Sequence, residues 1–117
     1  MRKLTTPLLI LWVGLILASC AHSPERYYFG NYSEAERLYN KGDYRKAVER
    51  YQAYLNENPE GNLAVISKYY IGKSYAALGQ VDKARTAYQQ ILEKHPDLVW
   101  ANFAQNKLKE LEVRNQK

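Results

Sequence analysis

Two stretches of this chain align without a gap: GDYRKAVERYQAYLNENP, residues 42–59, and GQVDKARTAYQQILEKHP, residues 79–96. Their offset, from Gly42 to Gly79, is 37 residues, and seven of the 18 aligned positions are identical. Identity at this density over a fixed period indicates an internal repeat. The identical pairs are Gly42/Gly79, Lys46/Lys83, Ala47/Ala84, Tyr51/Tyr88, Gln52/Gln89, Leu55/Leu92 and Pro59/Pro96.

Most of these identities have a structural use in a helical unit. The glycine suits the turn that ends a preceding helix, because the left-handed backbone conformation is cheap for glycine. Alanine, tyrosine and leucine follow at intervals of four residues, at 47, 51 and 55 and again at 84, 88 and 92, which forms one apolar stripe. Proline stops the helix. The repeated unit is therefore predicted to be helix, turn, helix and break.

The same signals predict five helices and no strand, so the fold class is all-α. Ser33 and Glu36 have the spacing of a capping box, and Asp43 is a candidate cap for the second helix. The apolar stripe of the last helix contains Leu98, Ala101, Ala104, Leu108 and Leu111. The predicted helices are Ser33–Lys41, Tyr44–Glu57, Leu63–Leu78, Val81–Lys94 and a last one after Pro96 and Asp97.

This pattern resembles the tetratricopeptide repeat (TPR), a helical hairpin with a period of about 34 residues. The first unit departs from the family in its first helix, where Asn31 and Glu34 replace large apolar residues and Ala35 replaces glycine. The resemblance implies a TPR-like solenoid in residues 32–117, with repeats at 32–59 and 63–96 and a capping helix at 97–113. It rests on Gly72, Tyr75, Gly79, Ala84, Tyr88 and Pro96 in the second unit, and on Gly42, Asp43, Tyr44, Ala47, Tyr51 and Pro59 in the first.

The N-terminus has the features of an export signal. Arg2 and Lys3 precede an uncharged apolar run, Leu8–Ala18, which is too short to span a membrane but of the length of a secretory signal. The following LASC, residues 17–20, resembles the lipobox of bacterial lipoproteins. That resemblance implies a signal peptide at 1–19, a covalent lipid on Cys20, and a lipidated N-terminus and tether at 20–31.

Other roles for Cys20 have less support. It is the only cysteine, so an intrachain disulfide is excluded, and nothing in the polar segment around His22 would hold a base against its thiol. The sequence contains no Gly-rich phosphate loop, no Cys/His metal spacing and no nucleophile turn. We predict that the protein is not an enzyme, that it binds no metal, and that it has no cofactor besides the lipid on Cys20.

The net charge and the expected location narrow the possible functions further. Of the 17 basic residues, 15 remain when Arg2 and Lys3 are removed with the signal peptide. Against 12 acidic residues they give a net charge near +3, and they form no basic run suited to nucleic acid. The lipobox resemblance implies the bacterial cell envelope, with the bilayer as one partner through Cys20. Ala21 stands where the enterobacterial sorting rule places aspartate for inner-membrane retention. The expected site is therefore the periplasmic face of the outer membrane.

In tetratricopeptide proteins the first helix of each pair lines a concave groove that binds partner segments. A second candidate surface is the pair Trp100 and Phe103, which lie off the apolar stripe of the last helix and are either an exposed patch or part of a broader core stripe. Tyr39 and Tyr70 could equally belong to the core. The candidate groove residues implied by the resemblance are Tyr32, Glu36, Tyr39, Asn40, Tyr69, Tyr70, Lys73 and Ala77.

The period of 37 residues is longer than the usual TPR period of about 34, and it is similar to that of small outer-membrane TPR lipoproteins of envelope assembly. This likeness implies a non-catalytic adaptor that holds an envelope protein, itself in or near the membrane, within an assembly or secretion system. Eleven tyrosines in a short chain leave a second hypothesis open, a glycan-binding module for peptidoglycan or an exported polysaccharide.

Overall fold

The computed structural model describes residues 29–117, which form five α-helices and contain no β-strand. The all-α, TPR-like class predicted from the sequence is confirmed. The helices are α1, Asn31–Asn40; α2, Tyr44–Glu57; α3, Asn62–Ala77; α4, Val81–Lys94; and α5, Val99–Asn115.

The start of α1 differs from the prediction. The residue before the helix is Gly30, at φ 56°, and no side chain caps the helix. Ser33, expected as the cap, lies in the first turn, where its Oγ accepts a hydrogen bond of 2.9 Å from the backbone N–H of Phe29. The predicted capping box is wrong, because the positive φ of Gly30 turns the chain into the helix earlier than the serine does.

The two repeated glycines end α1 and α3 in the same way. Gly42 and Gly79 have φ of 82° and 76°, the left-handed region that favours glycine. After α1, the Asp43 N–H donates to the Leu38 carbonyl at 3.0 Å and the Gly42 N–H donates to the Tyr39 carbonyl at 3.0 Å. The bonds around Gly79 are equivalent. Both turns are Schellman motifs, which satisfy the last carbonyls of the helix.

The helices are stacked so that one face is concave. Each helix packs against the next in sequence, and in addition α1 contacts α3 and α3 contacts α5. By contrast, α2 and α4 make no such contact with each other. Because the first helices of the pairs approach while the second helices separate, α1, α3 and α5 line the concave face and α2 and α4 form the convex one.

Two apolar clusters hold this stack together, one for each helix pair. Ala47 and Tyr51 are wholly buried in the first, and Ala84 and Tyr88 are wholly buried in the second, as the repeat predicts. The central helix α3 contributes to both clusters. The apolar stripe predicted for α5 is confirmed, since Ala101, Ala104, Leu108 and Leu111 are buried and Leu98 packs against the same cluster.

Several predictions concern residues before Phe29. The signal peptide at 1–19, the lipidation of Cys20 and the tether from 20 to 28 lie outside the described residues. Within residues 29–117, no helix has the length and apolar character needed to cross a membrane.

Candidate functional site

The predicted groove residues occupy α1 and α3, but they are not equally accessible. Tyr32 and Tyr69 are buried, with 6% and 8% of their surface exposed, and each belongs to an apolar cluster. Tyr39, Tyr70 and Lys73 are partly exposed. Glu36, Asn40 and Ala77 are exposed. Tyr32 and Tyr69 therefore belong to the core beneath the concave face, and the other predicted groove residues are accessible on that face.

An unbroken series of ring contacts runs across the concave face. Tyr39 of α1 meets Tyr70 of α3 at 5.0 Å between ring centroids, and Tyr70 meets Tyr69 at 5.6 Å. Tyr69 lies 5.3 Å from Trp100 of α5, which lies 5.3 Å from Phe103. The predicted groove and the separately predicted patch are thus connected through the buried ring of Tyr69. We call these five residues the aromatic row.

Trp100 and Phe103 form the exposed end of this row. Phe103 has 42% of its surface exposed, so it is not absorbed into the stripe of α5. Trp100 is partly buried and packs against the second cluster. The edge-to-face and tilted arrangement of these rings is the geometry that aromatic pairs prefer.

A lysine lies at the centre of the row. The Nζ of Lys73 is 5.4 Å from the ring centroid of Tyr39, 5.8 Å from that of Tyr69 and 5.2 Å from that of Tyr70. Burial alone would lower the pKa of Lys73, but the hydroxyl of Tyr39 and the other two tyrosines outweigh it and raise the pKa. No carboxylate of residues 29–117 forms an ion pair with Lys73. The face therefore carries a charged ammonium held by ring faces.

A cavity of about 250 Å³ adjoins this ammonium and extends the site toward α5. Its lining includes Lys73 and Ala77 together with Lys107, Glu110 and Arg114 of α5. The Nζ of Lys107 lies 2.8 Å from Oε2 of Glu110. These three charged residues were not predicted from the sequence, because α5 was interpreted as a capping helix. The feature that could have indicated them is the position of α5, which follows a complete helix pair and contacts α3 as α3 contacts α1.

At the α1 end, Tyr32 packs between Tyr51 at 5.9 Å and Tyr54 at 5.5 Å. Burial and the nearby carboxylate of Glu36 raise the pKa of Tyr32. Its phenol is therefore neutral at physiological pH and acts as a packing group. This end of the concave face presents Glu36 and Asn40, so its exposed surface is polar where the α5 end is aromatic.

The side chains of this surface are suited to binding a partner. It presents ring faces, one ammonium held between three rings and a charged border, but no nucleophile held against a base. Within residues 29–117, no three His, Cys, Asp or Glu side chains form a group that could hold a metal ion.

The family comparison agrees with this architecture. The model described as Tetratricopeptide repeat matches residues 67–98, which cover most of α3, all of α4 and the following turn. No curated protein matches the chain. Tetratricopeptide repeats are in general non-catalytic modules that bind protein partners. The match, together with the five-helix stack, supports the tetratricopeptide-repeat interpretation of this chain.

Proposed function

We propose that this protein is a lipid-anchored, non-catalytic adaptor that holds a protein partner on its concave face within a bacterial envelope assembly or secretion system. The observation that carries the proposal is the aromatic row, which crosses α1, α3 and α5 around the ammonium of Lys73. Tyrosine and tryptophan are the residues that most often dominate the energy of protein interfaces.

Pre-organisation favours this surface as a binding site. Each ring of the row is held by a neighbouring ring, and Lys73 is held by three, so little side-chain freedom remains to be lost on association. Phe103 and the partly exposed Trp100 offer apolar area next to the charges of Lys107 and Glu110. A partner segment with both apolar and charged side chains fits this combination.

The membrane part of the proposal rests on the sequence. A diacylated and usually N-acylated Cys20 would be a stable anchor, because two or more acyl chains bind a bilayer firmly where one binds it only marginally. The ten residues from Ala21 to Gly30 can span at most about 35 Å. The concave face would then work close to the membrane, on a partner in or near it. Ala21 favours the periplasmic face of the outer membrane.

Affinity recovery from detergent-solubilised envelopes tests the adaptor function. The variant is Phe103→Ala, and its matched control is Val113→Ala, which also truncates an exposed apolar side chain of α5. We expect recovery of the same protein partner by the wild type and by Val113→Ala, and a loss of about tenfold for Phe103→Ala. Equal recovery by both variants, or no reproducible partner, would contradict the proposal.

The exposed Phe103 and the partly exposed Trp100 also favour a second candidate, a glycan-binding module, because aromatic faces stack on sugar rings. Sedimentation with purified cell-wall sacculi separates the two functions. An adaptor stays in the supernatant, whereas a peptidoglycan-binding module sediments, and does so less when Phe103 is replaced by alanine.

A further inference from the structure

A second groove lies on the convex face, between α2 and α4 and above α3. Because those two helices do not contact each other, a cavity of about 510 Å³ opens between them. Its apolar lining comprises Leu55 of α2, Ile71 and Tyr75 of α3, and Ala87 of α4. We call this cavity and its lining residues the convex groove. It shares no residue with the aromatic row.

One end of the convex groove lies at Tyr75. The Nε2 of Gln52 is 3.4 Å from the hydroxyl of Tyr75, and the Nζ of Lys83 lies 5.5 Å from the centroid of its ring. The carboxylate of Asp82 also lines the groove, where it forms an ion pair with Arg85 at 2.9 Å. This end is therefore bordered by the amide of Gln52, by an ammonium that rests on a ring and by a carboxylate that is already paired.

The other end carries two ammonium groups beside one carboxylate. Lys68 is partly buried, and together with Lys94 and Glu60 it lines an adjoining cavity of about 420 Å³. Neither lysine forms an ion pair with any carboxylate of residues 29–117. Burial, and then the positive charge of Lys94, lower the pKa of Lys68. A carboxylate placed here would relieve the repulsion between two ammonium groups.

We propose that the convex groove is a second docking surface, which binds a short acidic segment of a partner protein. Apolar side chains of the segment would cover Leu55, Ile71 and Ala87, and a carboxylate would lie between Lys68 and Lys94. The lysines of the groove and its adjoining cavity outnumber the carboxylates there, since Lys68, Lys83 and Lys94 stand against Glu60 and Asp82, and Asp82 is already paired with Arg85. This excess of positive charge favours an acidic occupant. The proposal goes beyond the adaptor function of the concave face, because it assigns a separate partner site to the opposite face.

The shape and border of the groove favour a peptide over a fatty acid, which would also present a carboxylate and an apolar chain. The groove runs along α3 from Lys68 to Tyr75, two helical turns or about 10 Å. It is open to solvent, and the amides of Gln52 and Gln90 line it. Amide groups can bond the main chain of a peptide, whereas an acyl chain offers them nothing.

Binding of synthetic peptides to the full chain in detergent tests the proposal. Fluorescent peptides of about a dozen residues carry leucines separated by glutamates, and a matched set carries lysines in place of the glutamates. Fluorescence anisotropy should show that the glutamate set binds at least about tenfold more tightly. Lys68→Glu should weaken that binding by about tenfold and Lys68→Gln by a smaller factor, whereas Lys109→Glu, an exposed control on α5, should leave it unchanged.

Three results would overturn the inference. They are equal binding of the two peptide sets, binding that withstands Lys68→Glu in a protein with unchanged helical content, and binding of a fluorescent fatty acid without binding of either peptide set. Phe103→Ala should leave peptide binding intact, because it changes only the aromatic row. Loss of binding in Phe103→Ala would place the peptide on the concave face and also refute the proposal. Failure of this site is thereby distinguished from failure of the adaptor function.

Discussion

Gly72 of α3 lies so close to Tyr88 of α4 that a methyl group on its Cα would stand 2.6 Å from Cε1 of the tyrosine ring. The position equivalent to Gly72 in the first pair is Ala35, which is wholly buried, as is Tyr51, the equivalent of Tyr88. In the second pair, the ring of Tyr88 on α4 therefore occupies the space that a side chain at Gly72 of α3 would fill.

Gly72→Ala should lower the free energy of unfolding by about 1–3 kcal/mol through overpacking against Tyr88. Alanine has the higher helix propensity by about 1 kcal/mol, so a net loss isolates the steric effect. Chemical denaturation followed by circular dichroism measures it. In a Tyr88→Leu background most of the loss should disappear, and a stabilised Gly72→Ala protein would contradict the close approach.

Ala84→Leu should cost about 1–3 kcal/mol, because Ala84 is wholly buried in the second apolar cluster, where a larger side chain would displace its neighbours. Ala77→Leu is the control, since Ala77 is exposed at the end of α3. Thermal melts of the two variants compare them directly. Equal melting temperatures would mean that the buried position of the repeat is assigned incorrectly.

Tyr51→Phe and Tyr88→Phe should each leave stability unchanged or raise it by about 1 kcal/mol. Both rings are wholly buried, and within residues 29–117 no protein group accepts from or donates to their hydroxyls. Burial raises the pKa of both phenols, so each hydroxyl remains neutral. A loss of more than about 1 kcal/mol in either variant would show that its hydroxyl is paired in solution.

Cys20→Ser should abolish lipidation and leave an uncleaved precursor, because acylation of the lipobox requires the thiol. Metabolic labelling with a palmitate analogue, followed by a mobility shift, measures both effects. The wild-type protein is the labelled reference, and label that persists in the serine variant would refute the lipoprotein proposal.

Ala21→Asp should move the protein to the inner membrane and abolish its function without altering the concave face, provided that the host follows the sorting rule. Density-gradient fractionation of envelopes measures the distribution, with Ala21→Ser as the control for substitution alone. Wild-type protein that travels with inner-membrane markers would contradict the outer-membrane placement.

Local spacing was sufficient to predict the helices. The 37-residue repeat located Ala47, Tyr51 and their partners in the cores, and Gly42 and Gly79 at the turns. These features depend on residues within one or two helical turns of each other, so they can be recognised in a single sequence. The start of α1 was missed because a serine in the first turn and a serine at the cap give similar local patterns.

The sequence by itself determined the all-α repeat, its period and the side chains that face the core, because apolar periodicity and glycine or proline positions act over short distances. Only the tertiary structure decided which tyrosine side chains are exposed at the surface. Tyr69 is buried while its neighbour Tyr70 is partly exposed, because α3 is covered by other helices on more than one side. The packing of α5 against α3 likewise joined Trp100 to the groove. That contact depends on the relative placement of whole helices, which no local pattern specifies.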